Sequence, residues 1–424
     1  MPTARSLGWS YPEMHTLLTA DRLFDGERAI RGGAVLIDGA KIVAAGSAQE
    51  IGSPSGVSIC AFGDATLLPG LIDCHDHLAY PSGDLAERAN TPISRAVLET
   101  AANLRLTLER GFTAIRDCAG VDQGVKQAAE SGLILSPRLR ICLVIITQTA
   151  GLADGFIPAT GLRRNVPRLP GIPDGVADGT DAVRAKVREI IRAGADFLKI
   201  ATTGDMSTGA HAQRQFTLDE VAAVVEEGRA FGLPTAAHAY SGPGLKNALQ
   251  AGVHSVEHLG PVEDEDLVFM AEQGIYLVPT LSAARHISES ARPEEQDSPR
   301  VRNARRFVDL QKERLQRARQ LGVQICLGTD IGDWVRGENA GELEYLADTG
   351  LTPLEALRAG TSTAAACLGM ADQIGRLAPG YQADVVAVLG DATGDVSLLR
   401  EPKNIRAVLL GGNFVVQKEC STDD

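Results

Sequence analysis

Apolar runs and amphipathic stretches alternate through the middle of the chain, between residues 66 and 375. Short continuous apolar runs bounded by turn signals are typical of strands buried on both faces. Helical patterns lie between most of them; one opens with the capping box Thr217 to Glu220 and ends at Gly232. The apolar runs end near His77, Asp117, Thr147, Thr202, Tyr240, Leu259, Thr280 and Asp330. This order predicts an α/β protein in which residues 66–375 form a (β/α)8 TIM barrel.

Both chain ends carry shorter apolar runs broken by glycines. In "GAVLIDGAKIVAAG", Asp38 and Gly39 separate two apolar runs, which is a hairpin signal. The runs "ADVVAVLG" and "IRAVLLGGNFVVQ" near the other end have the same character. We therefore predict one small β-sandwich domain built from residues 1–65 and 376–424.

Two long connections interrupt the barrel pattern. Residues 153–178 are rich in Pro and Gly and follow the third strand, and the charged residues 284–304 follow the seventh. Loops of this length in a compact domain are usually lids or binding loops, although a solvated surface insertion is the alternative.

Composition narrows the class of protein. The chain has 424 residues and a net charge of -13, with no basic stripe, which disfavours a nucleic-acid ligand. No apolar run approaches the roughly 20 residues of a membrane span, and the first residues show no secretory signal. The 7 cysteines are scattered and form neither a disulfide framework nor a zinc knuckle. We expect a soluble, reduced, cytoplasmic protein.

Polar residues gather where the predicted strands end. In "LPGLIDCHDHL", His75 and His77 are two residues apart and project from one face of a strand, whereas Asp76 points to the other face. Four of the 8 histidines, one lysine and one aspartate occupy such ends: His75, His77, His238, His258, Lys199 and Asp330. A single histidine of this kind is more often a hydrogen-bonded core residue. Together they indicate a zinc-type divalent metal site on the carboxyl-terminal face of the barrel.

Lys199 is the unusual member of this set. A protonated amine cannot bind a cation, and its burial beside a metal is costly. A deprotonated amine modified by carbon dioxide gives a carbamate, an anionic oxygen ligand able to bridge two metals. The alternative is a structural lysine paired with a carboxylate.

The ordered set of motifs resembles the amidohydrolase superfamily, in particular its binuclear imidazolonepropionase-like and prolidase-like members, with the ochratoxin-type amide hydrolases among them. The similar segments include "LPGLIDCHDHL", "FLKIATTGD", "AGVHSVEHLG", "LGTDIG" and "GRLAPGYQADVVAV". The resemblance implies two divalent metal ions, with zinc expected. His75, His77 and Asp330 would hold the more buried ion, His238 and His258 the second, and carboxylated Lys199 would bridge them. Asp330 would also carry the proton from a metal-activated hydroxide to the leaving nitrogen.

Two positions depart from the family pattern. Leu152 stands where a loop histidine often faces the substrate, and Arg336 stands where a histidine commonly precedes "GxN". Tyr240 does match, and the family uses a tyrosine there as a donor to an oxyanion or a substrate polar group. Because leucine offers apolar surface and no hydrogen bond, we expect a bulky apolar or aromatic substrate portion and weak dependence on a free carboxylate.

These observations favour a metal-dependent hydrolase of a C–N bond in a small-molecule amide, such as an N-acyl amino acid or an aromatic amide. Hydrolysis of a carbamate, a urea or a cyclic amide is an alternative on the same fold. A mononuclear deaminase needs no bridging lysine, and a non-catalytic scaffold would typically lack several ligands. We also expect a homo-oligomer.

Overall fold

The computed structural model describes residues 15–80, 90–157, 162–163, 171–332 and 336–418. Its strands are β1 Thr16–Phe24, β2 Ala29–Asp38, β3 Lys41–Ser47, β4 Ser58–Ala61, β5 Ala65–Pro69, β6 Leu71–Asp76, β7 Phe112–Asp117, β8 Arg138–Ile141, β9 Ile145–Ile146, β10 Phe156–Ile157, β11 Leu162–Arg163, β12 Leu198–Ala201, β13 Thr235–His238, β14 Ser255–Glu257, β15 Tyr276–Val278, β16 Val385–Leu389, β17 Ile405–Leu410 and β18 Asn413–Gln417. Its α-helices are α1 Ala48–Ile51, α2 Ile93–Glu109, α3 Gln123–Glu130, α4 Thr180–Arg192, α5 Leu218–Ala230, α6 Gly242–Ala251, α7 Asp264–Gln273, α8 Leu281–Glu289, α9 Pro299–Gln320, α10 Gly341–Asp348, α11 Pro353–Ala359 and α12 Ser362–Cys367.

The central strands form a TIM-barrel-like α/β fold. Parallel pairing runs through β6, β7 and β8 on one side and through β9, β12, β13, β14 and β15 on the other. β8 and β9 are the two halves of the third predicted strand, separated at Leu143, which has a φ of 69°. A non-glycine residue in the left-handed region interrupts regular pairing, so one sequence run becomes two short strands.

The eighth predicted strand, "VQICLGTD", is not a regular strand, yet it closes the barrel through backbone hydrogen bonds. On one side the Cys326 amide donates to Leu277 O at 2.8 Å, and on the other the Cys74 amide donates to Leu327 O at 2.9 Å. Parallel bridges of Leu277 with Ile325 and of Asp76 with Ile331 lie at the two ends of this segment.

Both chain ends contribute to one 8-stranded sheet, in the order β18-β17-β16-β5-β1-β2-β3 with β4 beside β1. β5 and β16 join the two ends, with Pro69 opposite Val385. Apolar side chains of this sheet, among them Leu18, Leu67 and Leu409, form their own buried cluster. The two-layered sandwich and the domain boundaries at residues 65 and 376 stay predictions.

The prediction of a charged loop over residues 284–304 is wrong. The structure has α8 continuing to Glu289, a 3-10 turn at Pro293–Glu295, and α9 beginning at Pro299. Ser298 caps α9 by accepting a hydrogen bond from the Val301 amide. Val301, Ala304 and Phe307 are buried at helical spacing, a signal that the many charged neighbours obscured.

The predicted loop 153–178 lies partly outside the described residues. Its described part includes the short antiparallel pair of β10 and β11. Among the described residues, no helix combines the length and the hydropathy needed to span a membrane. The described cysteines are all free and buried.

Candidate metal centre

The polar strand ends converge as the barrel pattern requires. His75, Lys199 and His238 lie on β6, β12 and β13. His77 and His258 directly follow β6 and β14, and Asp330 is the last residue of the eighth segment. Because the carboxyl ends of barrel strands share one face, residues far apart in sequence meet there. The ligand atoms of His75, His258 and Asp330 lie within 4.8 Å of one another.

Asp330 is the centre of these contacts. Its Oδ1 lies 3.2 Å from His77 Nε2 and 3.4 Å from His75 Nε2, and its Oδ2 lies 3.8 Å from His258 Nδ1. The ring centroids of His238 and His258 are 4.4 Å apart. The His75 ring lies 5.0 Å from the His258 ring and 5.4 Å from the His77 ring, so the four imidazoles form one cluster beside this carboxylate.

Lys199 is buried beside this cluster of imidazoles. Its Nζ lies 3.4 Å from His75 Nε2, and the side chain is 1% exposed. Within the described residues, Nζ forms no ion pair with a carboxylate, so the structure offers no support for the alternative of a paired structural lysine.

Burial and neighbouring charges favour the protonation states that metal ligands need. Burial, with Lys199 nearby, lowers the pKa of His238 to about 4 and the pKa of His75 well below its usual range. Burial and the neighbouring imidazoles do the same for the pKa of His258. Burial alone would raise the pKa of Asp330, but His75 and His77 lower it to about 2. Neutral imidazoles and an ionised carboxylate fit a divalent ion.

The loops that carry the ligands adopt unusual backbone conformations. His258, Thr280 and Asp330 have φ values of 75°, 50° and 53°. Left-handed non-glycine residues are costly and cluster at functional sites.

Close packing requires a glycine at position 328. A Cβ on Gly328 would lie 2.2 Å from Val278 Cγ1 and 2.9 Å from His75 Cβ. Only glycine lets the eighth segment approach the first ligand strand this closely.

Two buried residues that the sequence reasoning missed support His75. The Glu257 carboxylate accepts from His75 Nδ1 at 2.8 Å and pairs with Arg116 Nη2 at 2.6 Å. Ser255 Oγ also donates to Glu257, at 2.5 Å. This carboxylate fixes the His75 tautomer so that Nε2 faces the site. A glutamate next to His258 at a buried strand end was the signal in the sequence.

A second support holds the segment around Asp330. Asp73 accepts from Thr329 Oγ1 at 2.7 Å and from Asn339 Nδ2 at 2.8 Å. Asn339 Nδ2 also donates to Asp76 at 3.0 Å, so Asp76 belongs to the hydrogen-bond network that supports the site. His258 Nδ1 forms a hydrogen bond with Thr280 Oγ1 at 2.8 Å, which fixes the orientation of this ring.

The remaining candidate site residues are Tyr240, Leu152 and Arg336. Tyr240 is buried and stacks on His258 with ring centroids 4.9 Å apart, and burial raises the pKa of its hydroxyl well above the usual range. The Leu152 amide donates to Gln215 Oε1 at 2.9 Å. Arg336 donates to His77 O at 2.7 Å and to Tyr80 O at 3.1 Å, so its guanidinium holds the segment after β6. Substrate roles for Leu152 and Arg336 stay predictions.

Comparison with known proteins agrees with this geometry. The model of the amidohydrolase family matches residues 66–415. The chain is 32% identical to the ochratoxinase of Aspergillus niger over 364 residues, covering 82% of this chain and 75% of that protein. It is 27% identical to the imidazolonepropionase of Salinispora tropica over 379 residues, covering 82% and 84%.

A solved structure of a prolidase complexed with N-methylphosphonate-L-proline superimposes with a TM-score of 0.85 at 30% identity, covering 96% of this chain and 100% of that one. The family is generally metal-dependent, and the resemblance seen in the sequence motifs is confirmed. The chain belongs to the amidohydrolase family and is an enzyme that hydrolyses amide or peptide bonds.

Proposed function

We propose that the protein is a binuclear metal-dependent hydrolase of N-acyl amino acids or related aromatic amides. In this assignment His75, His77 and Asp330 would hold one divalent ion, and His238 and His258 would hold the other. Lys199, carboxylated on Nζ, would bridge the two, and zinc is the expected metal. The observation that carries the proposal is the convergence of these six side chains, in which buried Lys199 has no carboxylate partner among the described residues.

The chemistry that bound divalent ions supply is activation of water near neutral pH and polarisation of the scissile carbonyl. The chain supplies the proton transfers. Asp330 Oδ1 faces His75 and His77, which leaves Oδ2 to accept a proton from the attacking water and to return it to the leaving nitrogen. Tyr240, whose pKa is raised by burial, stays protonated and can donate to a substrate oxygen.

The aromatic substrate class rests on the surroundings of Tyr240. Met206, Tyr240, Ala283, Ala284 and Phe307 form one buried apolar cluster beside the metal centre. Leu152 in the neighbouring loop adds no polar group. The relative named ochratoxinase and the structural neighbour named prolidase are both consistent with a C–N bond between an acyl group and an amino acid.

Carbamates, ureas and cyclic amides remain alternative substrates on the same site. A mononuclear deaminase is disfavoured because it would leave buried Lys199 without a function. We also propose that the protein is a cytoplasmic homo-oligomer whose substrate is a small-molecule amide and which binds neither nucleic acid nor a membrane.

The test loads the purified protein with zinc in the presence of bicarbonate, counts metal by elemental analysis and screens aromatic N-acyl amino acids, dipeptides, carbamates and ureas. We expect close to two ions per chain and fastest turnover of an N-acyl aromatic amino acid. Folded protein that takes up almost no metal would contradict the binuclear assignment, and turnover confined to carbamates or ureas would contradict the substrate class.

A further inference from the structure

The loop after β12 folds over the carboxyl-terminal face of the barrel. A bridge joins Thr203 to Arg214, and the Gly204 amide donates to Gln213 O at 3.1 Å. Ser241 Oγ, just past β13, donates to His211 O at 3.4 Å. The tip of the loop, which carries His211, is therefore fixed to the segment that follows β13.

Aromatic rings connect His211 to the metal centre. The His211 ring meets Phe307 of α9 edge-on, with centroids 5.0 Å apart and an interplanar angle of 78°. Phe307 meets Tyr240 in the same way at 5.5 Å, and Tyr240 stacks on His258 at 4.9 Å. His211 thus adds a polar edge to the wall that we assign to the aromatic portion of the substrate.

One nitrogen of the His211 imidazole is not satisfied by a hydrogen bond within the described residues. Its Nδ1 is buried and has no hydrogen-bond partner within the described part of the chain. A buried polar atom without a partner costs free energy, and such atoms usually await a water, an ion or a ligand. Burial and the nearby Arg306 guanidinium lower the pKa of His211, so the ring is neutral and donates from one nitrogen.

The charges around the loop distinguish its two ends. Arg306 is exposed on α9 on the side of His211, whereas Asp205 lies close enough to Tyr240 and His238 to affect their pKa values. Asp205 accepts from the Ser207 amide at 2.7 Å. An anionic group is therefore favoured at the His211 end and disfavoured at the Asp205 end.

We propose that His211 determines specificity by binding the free carboxylate of the amino-acid portion of the substrate. It supplies from the β12 loop the imidazole that Leu152 does not supply from the loop after β9. This inference rests on the proposed function and replaces the expectation of weak carboxylate dependence that Leu152 suggested.

The test measures binding separately from turnover. N-tosyl-L-phenylalanine has a sulfonamide in place of the scissile amide, and its carboxamide lacks the charge. Dissociation constants of both compounds for the zinc-loaded enzyme are measured by calorimetry for the wild type, His211→Phe and His211→Asn. His211→Phe keeps a ring against Phe307 without nitrogen, and His211→Asn keeps an N–H donor near Nδ1. Gln213→Ala, exposed on the same loop, is the matched control.

We expect His211→Phe to weaken binding of the acid by about 10-fold to 100-fold, the range for one hydrogen bond to a charged group. Binding of the carboxamide should change little, His211→Asn should retain part of the affinity for the acid, and Gln213→Ala should behave as the wild type. Unchanged binding of the acid to His211→Phe overturns the inference. Equal losses for both compounds also overturn it, since they indicate a structural ring. Failure of the proposed function appears elsewhere, as absent hydrolysis of the N-acyl substrates by the wild type.

Discussion

Replacement of Glu257 by Gln tests whether the buried network below the metal centre sets metal affinity. Glu257 is fully buried and accepts from His75 Nδ1 at 2.8 Å, and the Arg116 side chain that pairs with it is 3% exposed. Glutamine preserves the shape but removes the charge and one of the acceptor oxygens. His75 or Arg116 then loses its acceptor, and Arg116 keeps an uncompensated buried charge.

Two magnitudes follow from this geometry. Loss of one member of a buried ion pair costs about 3 to 5 kcal/mol, and the isosteric change should lie at the lower end. For 424 residues the entropy of unfolding is about 0.9 kcal/mol/K, so a loss of about 3 kcal/mol lowers Tm by about 3 °C. Loss of the hydrogen bond that orients a ligand histidine typically costs 10-fold to 100-fold in metal affinity or activity.

The assay combines thermal melting with zinc titration against a chelator of known affinity. A second variant, Glu257→Gln with Arg116→Met, separates the two effects because it removes the orphaned charge while His75 still lacks its carboxylate. We expect the double variant to regain much of the lost Tm without regaining metal affinity. Wild-type zinc affinity in Glu257→Gln would refute the reasoning, as would recovery of affinity in the double variant.

Three further predictions concern other buried groups. Lys199→Ala should lose metal and turnover, and short carboxylic acids should restore part of both by replacing the bridge; full metal content by elemental analysis without added acid would contradict this role. Asp330→Asn should keep much of its metal and lose turnover by about 10²-fold to 10⁴-fold, because the proton carrier is gone; a wild-type kcat would show that another group moves the proton. Burial raises the pKa of Glu342, which accepts from the Leu281 and Ser282 amides, from 4.5 to about 7. Its folded pKa exceeds the unfolded one, so its contribution to stability is present below about pH 4.5 and is lost as the pH rises to about 7, a change of about 3 kcal/mol. Glu342→Gln should remove this slope from the free energy of unfolding measured by denaturant between pH 5 and 8; identical pH profiles would argue against it.

Much of the candidate centre could be predicted from the chain alone. His75, His238 and Asp330 lie at or near the ends of apolar runs and Lys199 lies within one, and the barrel topology brings these runs together on one face. The prediction needs only the order of runs and the residue type at each end. Both are local properties that can be read from short stretches of the sequence.

Other features depend on contacts between distant segments. Arg116 and Glu257 are 141 residues apart, and neither lies in a pattern that predicts their ion pair. His211 sits in a loop without periodicity, and its position beside Phe307 depends on α9, which the sequence reasoning read as part of a loop. Charged neighbours around Val301 and Phe307 concealed the helical spacing of the buried residues.

The sequence by itself determined the alternation of strands and helices, the ligand types and their order, because periodicity and strand-end chemistry are encoded within short windows. Only the tertiary structure decided which residues form hydrogen bonds with those ligands and which polar atoms have no partner. Cys74, Cys326 and Cys367 illustrate the difference: they are remote in sequence, yet their sulfur atoms lie within 4.8 Å of one another inside the barrel. Hydrogen bonding and burial depend on the whole set of neighbours in space, and that set exists only after the barrel has closed.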